Sequence, residues 1–446
     1  MRGVWGLGIG GWLTGFVLVG LSSATLLQAQ EDEYRVYTEH PRLILTAQRL
    51  RLLKRERERE SQRWRQFELL VKGSPSLPEP GFALALYYAV AGDEAAGKKA
   101  VEWALGKTDD LRQLALVYDW CQPVLSSQQS TALSAKIHQL LQKSASDGIP
   151  ARRDRILALI ATADGGRHSE EAPLKAMLHP ASPPAEAPLP DLYPLLEMLH
   201  AVRDNLKIDL REGAAEYFAH LPTYLIAGNY PAPYRAPENE FRIPMYQDSG
   251  QPDLNRAALA RAAGLSMVAY DNNGLENQFL QGWLIQDRFL MMTPFGAPYE
   301  FLWANPYQPG LSYYQLPLVF HDPASGTLFV RSGWDEDADW FGLYGGQAEF
   351  FHDGKVALVN LGSGSSAPKP LQLGDSSVIL GHTPFQFPME GGGTLLVIGL
   401  KPRQKYLVET DDEEMREVST DRAGSFLLQY PAGRVAGVRV HEPSST

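Results

Sequence analysis

The sequence predicts a chain in two parts, an N-terminal (α/α) toroid of helical hairpins followed by a C-terminal antiparallel β-sandwich. Apolar residues recur at three- and four-residue spacing over residues 30–293, which is typical of amphipathic helices. Short β-branched and aromatic runs, separated by Gly, Pro and Asp, fill residues 316–446. Residues 294–315 are rich in Pro and aromatics and lack a helical period, so we predict a linker there.

Residues 1–29 have the layout of a secretory signal peptide. Arg2 precedes an apolar run that extends from Val4 to Val19, and a zone of small residues ends at Ala29, before the acidic "EDE". This layout predicts a periplasmic or secreted protein. The alternative is an uncleaved anchor, because the apolar run approaches the roughly 20 residues that span a bilayer. In that case the leader would be the chain's contact with the membrane.

Composition excludes several classes of protein. With 446 residues, 44% of them hydrophobic, the chain can bury a large core. The net charge of −11 and the lack of a basic domain argue against nucleic acid as a partner. Cys121 is the only cysteine, which excludes an intrachain disulfide and Cys-rich zinc patterns, and its setting predicts a buried helix position. No H-E-x-x-H spacing occurs, so we predict no metal and no cofactor.

The helical part contains recognisable start and stop signals. Thr46 is positioned as the N-cap of the first helix, and the Arg/Glu run that follows is mixed in sign, which favours a solvated helix face. Gly92 should end one helix and Asp93 cap the next. Ser126, with Gln129 three residues later, forms a capping box. Successive helix pairs over some 250 residues predict a layered or toroidal α/α domain, interrupted by a Pro-rich surface segment at residues 179–190.

The C-terminal part contains eight runs that predict strands. They are short, apolar and bounded by turn residues, as expected for an antiparallel sandwich. The runs are "GTLFVRSGW", "DWFGLYGG", "EFFHDGKVALVNLG", "SVILGHTPFQF", "GTLLVIGLKP", "QKYLVET", "GSFLLQY" and "VAGVRVHE".

Three motifs and their order carry a family resemblance. "HPRL" precedes the first helix, "YDW" lies at residues 118–120, and "RSGWDEDADW" at residues 331–340 opens the sandwich. In this order the chain resembles the heparinase II/III-like polysaccharide lyases, including the related alginate lyases. The resemblance implies a toroid followed by a sandwich, and cleavage of uronic-acid polysaccharides by β-elimination.

Such a reaction has definite chemical needs. A base removes the proton α to the uronate carboxylate, cationic or hydrogen-bonding groups neutralise that carboxylate, and an acid protonates the departing oxygen. The resemblance implies an Asn or His and a Tyr in the helical part, and a His from the β part. Where the Asn or His is expected, this sequence has Arg152 and Arg153, which either pair with the carboxylate or form an exposed helix start. Tyr193 matches the tyrosine, with packing at a helix start as the alternative.

The histidine expected from the β part is the weakest match. After "WFGLYGG" the sequence has Gln347 and Glu349, and His352 follows in "HDGK". We therefore predict His352 as a catalytic candidate, with the tip of a β-hairpin as the alternative. Because the sequence departs from the family pattern at these positions, two functions are possible expectations: a lyase, or a catalytically degenerate member that binds glycan or has a structural role in the envelope.

Aromatic residues in predicted loops form the last candidate set. Sugar rings stack on exposed aromatic faces, and the alternative is that these rings fill the contact between the two parts of the chain. The expected partner is an acidic polysaccharide or oligosaccharide, and oligomeric state is not predicted. The loop aromatics are Tyr224, Tyr230, Tyr234, Trp303, Tyr307, Tyr313 and Tyr314. The predicted substrate-binding residues are Arg152, Arg153, Tyr230, Tyr234, Trp303 and Tyr313.

Overall fold

A computed structural model describes most of the chain, and all described residues fall within one compact unit, Arg35–Thr446. The predicted signal peptide, Tyr234 and most of the Pro-rich segment lie outside the described residues. The described residues are 39–73, 76–143, 148–163, 189–233, 242, 254–286, 292–361, 370–381, 389–390, 393–410, 414–430, 434–435 and 438–441.

Helices come first along the chain, and strands follow. Within the described ranges there are twelve α-helices before the first strand. Their bounds are α1 Ala47–Glu58, α2 Gln62–Lys72, α3 Pro80–Ala91, α4 Glu94–Leu105, α5 Leu111–Trp120, α6 Ser127–Lys143, α7 Ile149–Thr162, α8 Leu189–Leu206, α9 Ala215–Ala227, α10 Leu254–Tyr270, α11 Leu275–Gln286 and α12 Gly296–Trp303.

Six helices contact one another in a closed series. Helix α3 packs on α5, α5 on α7, α7 on α8, α8 on α10, α10 on α12, and α12 returns to α3. Helices α4, α6, α9 and α11 pack against members of this series. The series explains why nearly all of α5, and α7 from Ile156 to Thr162, are buried: they are covered on more than one side.

The predicted helix signals are confirmed. Thr46 accepts a hydrogen bond from the Arg49 amide, and Asp93 accepts from two amides of the first turn of α4. Gly92 ends α3 in the left-handed conformation. The Ser126 hydroxyl and the Gln129 side chain each accept a hydrogen bond from the other residue's amide.

The segment predicted as a linker, residues 294–315, contains helix α12. The sequence lacks an amphipathic period there because every residue from Gly296 to Trp303 is buried. Pro298 lies in the first turn of α12, where the amide that proline lacks would have had no partner within the helix.

The "HPRL" and "YDW" motifs bind each other. Asp119, which is fully buried, accepts hydrogen bonds from the backbone amides of Arg42 and Leu43 and from the His40 Nδ1–H, at 2.6–3.1 Å. The Trp120 indole donates to the Leu43 carbonyl. The N-terminal loop is thereby fixed onto α5. Beside it, Cys121 is buried as predicted, and burial raises the pKa of its thiol to about 12.

The C-terminal part contains fourteen strands among the described residues. All eight predicted runs contain a strand, and the third forms a hairpin. Their bounds are β1 Val319–Asp322, β2 Thr327–Arg331, β3 Trp340–Tyr344, β4 Gln347–His352, β5 Lys355–Val359, β6 Leu371–Leu373, β7 Ser376–Leu380, β8 Met389–Glu390, β9 Gly393–Ile398, β10 Lys405–Thr410, β11 Glu414–Ser419, β12 Phe426–Tyr430, β13 Arg434–Val435 and β14 Val438–His441.

The larger sheets are stacked in layers. A five-stranded sheet, β1-β2-β3-β4-β5, packs through residues such as Val330 and Phe341 against one face of the sheet β12-β9-β7-β6. The other face of that second sheet packs through Val397 on the sheet β11-β10-β14. One pair departs from the predicted antiparallel pattern: β7 and β9 run parallel. All of β7 and nearly all of β9 are buried, as is typical of parallel strands covered on both faces.

The described helices include none that combines the length and the apolar character needed to cross a membrane.

Candidate functional site

A network around the buried carboxylate of Glu197, on α8, brings together three of the predicted site residues: Arg153, Tyr193 and Trp303. Its oxygens accept two hydrogen bonds from Arg112 and one from Arg153, each at 2.8 Å, and one from the Tyr193 hydroxyl at 3.1 Å. The Trp303 indole in turn donates to the Tyr193 hydroxyl at 3.1 Å. Arg153 therefore does bind a carboxylate, and that carboxylate belongs to the chain itself.

The electrostatics of this cluster favour fixed charges. Burial by itself raises the pKa of Glu197, but the charges of Arg112 and Arg153 outweigh it and hold that pKa below its ordinary value. Burial, and then the charge of Glu197, raise the pKa of Tyr193 far above its ordinary value. The Tyr193 hydroxyl is therefore a neutral hydrogen-bond donor, and Glu197 is an ionised acceptor.

A cavity of about 910 Å³ adjoins this cluster on the other side of Trp303. That volume is in the range of small-molecule sites in proteins. Residues of α1, α8, α10, α11 and α12 and of the loop 305–308 line it. The charged residues of the lining are four arginines and one aspartate: Arg49, Arg51, Arg55, Arg203 and Asp204. The cavity is thus positively charged in a chain whose net charge is −11.

Helix α8 connects the buried cluster to the cavity. Tyr193, Glu197, His200 and Asp204 follow one another at spacings of four, three and four residues, which places them on one face of the helix. The first two belong to the buried cluster, and the last two line the cavity. Trp303 bridges the two sites, because its indole binds Tyr193 and its ring lies 4.5 Å from the His200 ring.

The inner end of the cavity holds two positioned guanidinium groups. Arg203 is stacked 3.9 Å over the Tyr270 ring and donates to Asp204 and to His200 Nδ1. Arg49 lies 4.6 Å over the Trp303 ring and donates to the Leu302 carbonyl.

Burial and the nearby positive charges lower the pKa values of Arg49 and His200. Burial, opposed by the charge of Asp204 and assisted by that of Arg203, lowers the pKa of Arg49 to about 10. Burial and the charge of Arg49 hold the pKa of His200 well below its ordinary value. His200 is therefore neutral: Nε2–H donates to the Ser266 carbonyl, and Nδ1 already accepts from Arg203.

The outer part of the cavity is polar and aromatic. Tyr307 is 42% exposed, and its hydroxyl donates to the buried Glu56 at 2.6 Å. Asn272, Gln281, Asn305 and Gln308 also belong to the lining, and the amides of Gln281 and Gln308 donate to backbone carbonyls of these neighbours. The cavity thus offers cations for an acidic group and, at Tyr307, an exposed ring face for a sugar.

Tyr230 lies at a different place, the contact between the helical part and the five-stranded sheet. It is buried, donates to Glu349 at 2.6 Å, and packs on Trp340 and Phe351. Beside it, the Trp340 indole donates to the Ala227 carbonyl at the end of α9. Tyr230 thus fills the contact between the two parts of the chain, which was the alternative to sugar stacking for these aromatics.

The remaining predicted residues lie apart from both the cluster and the cavity. His352 is exposed, donates to Asp339 and pairs with Lys355 across a two-residue Asp-Gly turn, which confirms the hairpin tip. Tyr313 stacks on Tyr314 and contacts Trp334. Arg152 is partly exposed near the start of α7 and is not part of the Glu197 cluster. The catalytic roles of Tyr193 and His352 stay predictions.

The arginines of the cavity were not among the residues predicted from the sequence. The Arg/Glu run of α1 favoured a solvated face, whereas one side of that helix lines the cavity through Arg49, Arg51 and Arg55. The available signal was the pattern "HAVRD" on α8, which sets His200, Arg203 and Asp204 within one turn. Only the tertiary structure, in which α1 and α8 line the same cavity, reveals that the cationic groups converge.

Comparisons with known proteins give a coarse likeness. No protein-family profile and no curated protein matches the chain. Among solved structures, the chain is similar to a heparan sulfate lyase, HepC from Pedobacter heparinus, with 13% identity over 82% of this chain and 75% of that chain and a TM-score of 0.38. It is also similar to a glycoside hydrolase, with 8% identity over 93% of this chain and 80% of that chain and a TM-score of 0.32. At these values no residue role is transferred.

Proposed function

We propose that this protein binds an acidic oligosaccharide or polysaccharide, of the uronic-acid type, in the arginine-lined cavity. The observation that carries the proposal is the charge of the lining, four arginines against one aspartate. We further propose that the six-helix series is part of an (α/α) toroid and that the protein acts in the periplasm or outside the cell, as its N-terminal sequence predicts.

The chemistry of the cavity supports an acidic sugar in particular. A guanidinium matches a carboxylate in bidentate geometry, and Arg49 and Arg203 are already fixed by ring faces and backbone carbonyls. Little conformational freedom is therefore lost when an anion binds to them. Tyr307, which is 42% exposed, adds an aromatic face on which a pyranose ring packs, whereas Trp303 and Tyr270 are buried beneath the two guanidinium groups.

Replacing Arg49 tests the proposed binding. We expect Arg49→Ala to weaken binding of a uronate oligosaccharide by about 10- to 100-fold, the range for losing a charge-assisted hydrogen bond. Isothermal titration calorimetry with tetragalacturonate measures this. Lys54→Ala removes the same charge from the same helix outside the cavity and should change affinity less than about twofold. Equal affinities for wild type and Arg49→Ala would contradict the proposal.

Cleavage by β-elimination is the second candidate, and one observation favours it. Tyr193 and Arg153, predicted as the acid/base and a carboxylate-binding group, meet in one network that Trp303 joins to the cavity. We rank binding first because the Tyr193 hydroxyl is buried and engaged with Glu197, and because the two guanidinium groups beside it already bind that carboxylate.

The variant Tyr193→Phe separates the two candidates. We expect it to bind acidic glycan within about twofold of wild type and to lose about 1–3 kcal/mol of stability, because it removes two buried hydrogen bonds that each contribute about 0.5–1.5 kcal/mol. We also expect neither protein to release unsaturated uronate, detected by ultraviolet absorbance, from alginate, heparan or chondroitin. If wild type releases such a product and Tyr193→Phe does not, the protein is a lyase and the ranking is reversed.

A further inference from the structure

One face of α1 carries a regular row of arginines that leads out of the cavity. Arg51, Arg55 and the C-cap residue Arg59, here called the arginine row, follow each other every four residues and so lie about 6 Å apart along the helix. All three are exposed, and no carboxylate of the described residues forms an ion pair with any of them. Such a row of unpaired cations attracts an extended anion.

Tyr307 stands against the outer half of this row. The guanidinium of Arg55 lies 5.7 Å from the centre of its ring, and that of Arg59 lies 5.1 Å from it. The hydroxyl is fixed by Glu56, so the ring is held beside the two cations. Cation and ring face thus occur together at the mouth of the cavity, as they do at its inner end with Arg49 and Trp303.

The inner end of the cavity is closed. Trp303 and His200 form its wall, and behind Trp303 lies the buried network of Tyr193, Glu197 and Arg112. Among the described residues, this packing leaves a glycan chain no path past Trp303. Only the end of a chain can reach Arg49 and Arg203.

We propose that the ligand is an acidic glycan with a charged group on successive sugars, bound end-on. Its terminal sugar lies beside Arg49 and Arg203, and the following sugars lie along the arginine row. This inference rests on the proposed function and adds to it the orientation of the ligand, its minimum length and the residues that select for length. An axial spacing of about 6 Å suits one acidic group on each sugar better than a sparsely charged polymer.

Binding of galacturonate and of tetragalacturonate, compared by isothermal titration calorimetry, tests the inference. We expect wild type to bind the tetramer about tenfold more tightly than the monomer, since each added exposed ion pair contributes a severalfold gain at most. In Arg55→Gln/Arg59→Gln that ratio should fall to about twofold. Glutamine is a good helix former, so α1 is preserved. Lys54→Gln, on the same helix but outside the cavity lining, should keep the wild-type ratio.

Other results would overturn the inference, and they differ from a failure of the proposed function. A tenfold ratio that survives in Arg55→Gln/Arg59→Gln would exclude the row as the length-selecting surface while leaving the cavity site intact. If wild type binds neither galacturonate nor tetragalacturonate, the proposed function fails as well. Binding of phosphatidylserine vesicles by the row, with no length dependence for uronates, would assign the row to a membrane surface and overturn the glycan orientation.

Discussion

Replacing Glu197 by glutamine should lower the free energy of unfolding by about 3–5 kcal/mol, the range for breaking a buried ion pair from one side. Glu197 is fully buried, and its carboxylate faces both Arg112 and Arg153. Glutamine has one oxygen and an amide group, so it leaves two buried guanidinium groups with too little negative charge. A urea titration followed by tryptophan fluorescence measures the loss.

The matched control for this variant is Glu417→Gln. It removes a carboxylate from an ion pair with Lys405 in which both side chains are more than half exposed. Because exposed pairs contribute little, we expect its stability to change by less than about 1 kcal/mol. A loss in Glu197→Gln no larger than that of Glu417→Gln would mean that the buried network does not depend on this charge.

The Glu197 carboxylate should also make the free energy of unfolding depend on pH. The pKa of Glu197 is lowered in the folded protein, so its contribution is complete above the ordinary glutamate pKa of about 4.3 and is lost as pH falls through the folded value. The difference in unfolding free energy between wild type and Glu197→Gln should therefore shrink below about pH 4. A difference that stays constant from neutral pH to pH 3 would contradict this explanation.

Replacing Asp119 by asparagine should also be strongly destabilising, by about 2–4 kcal/mol, because a buried charged acceptor of three donors is lost. The two carboxylate oxygens accept from two backbone amides and from His40. Asparagine must turn its NH₂ group toward at least one of these donors, which leaves that donor buried without an acceptor. Thermal unfolding by circular dichroism measures the loss.

Asp93→Asn is the matched control for Asp119→Asn. Asp93 also accepts hydrogen bonds from two backbone amides, but it does so at the exposed N-terminus of α4. Asparagine and aspartate are comparable N-caps, so we expect a change below about 0.5 kcal/mol. If the two variants unfold at the same temperature, Asp119 does not have the locking role that we assign to it.

The parts of the fold that depend on local sequence could be predicted. Thr46, Asp93 and the Ser126–Gln129 pair act within four residues of themselves, and the Asp-Gly turn after His352 is set by the two residues in it. Helix α12 could not be predicted, because a helix buried on all sides has no polar face to reveal its period. The parallel pair β7–β9 also gives no local signal, since a run buried on both faces fits either direction.

The candidate site depended on contacts that no short motif contains. Arg153 was predicted either to pair with a substrate carboxylate or to lie at an exposed helix start, whereas its partner in the structure, Glu197, lies 44 residues away on another helix. Tyr193 and Trp303 were each selected for sugar chemistry, and their meeting follows from the packing of α12 near α8. The mixed charge of α1 predicted a solvent-exposed face, whereas three of its arginines line the cavity. Which cations face the cavity is decided by the helices that pack around α1.

The contacts of α1 with the end of the helical part have a consequence for how the protein is made. Arg49 donates to the Leu302 carbonyl 253 residues later, and Tyr307 binds Glu56 across 251 residues. At about 5–20 residues per second, α1 leaves the ribosome some 10–50 seconds before these partners are synthesised. The groups of α1 that bind Leu302 and Tyr307 therefore lack these partners until the end of the helical part has been made, whereas α3 follows α1 closely and can pack on it early. The contacts of α1 are complete only when residues about 250 positions later in the chain have been made.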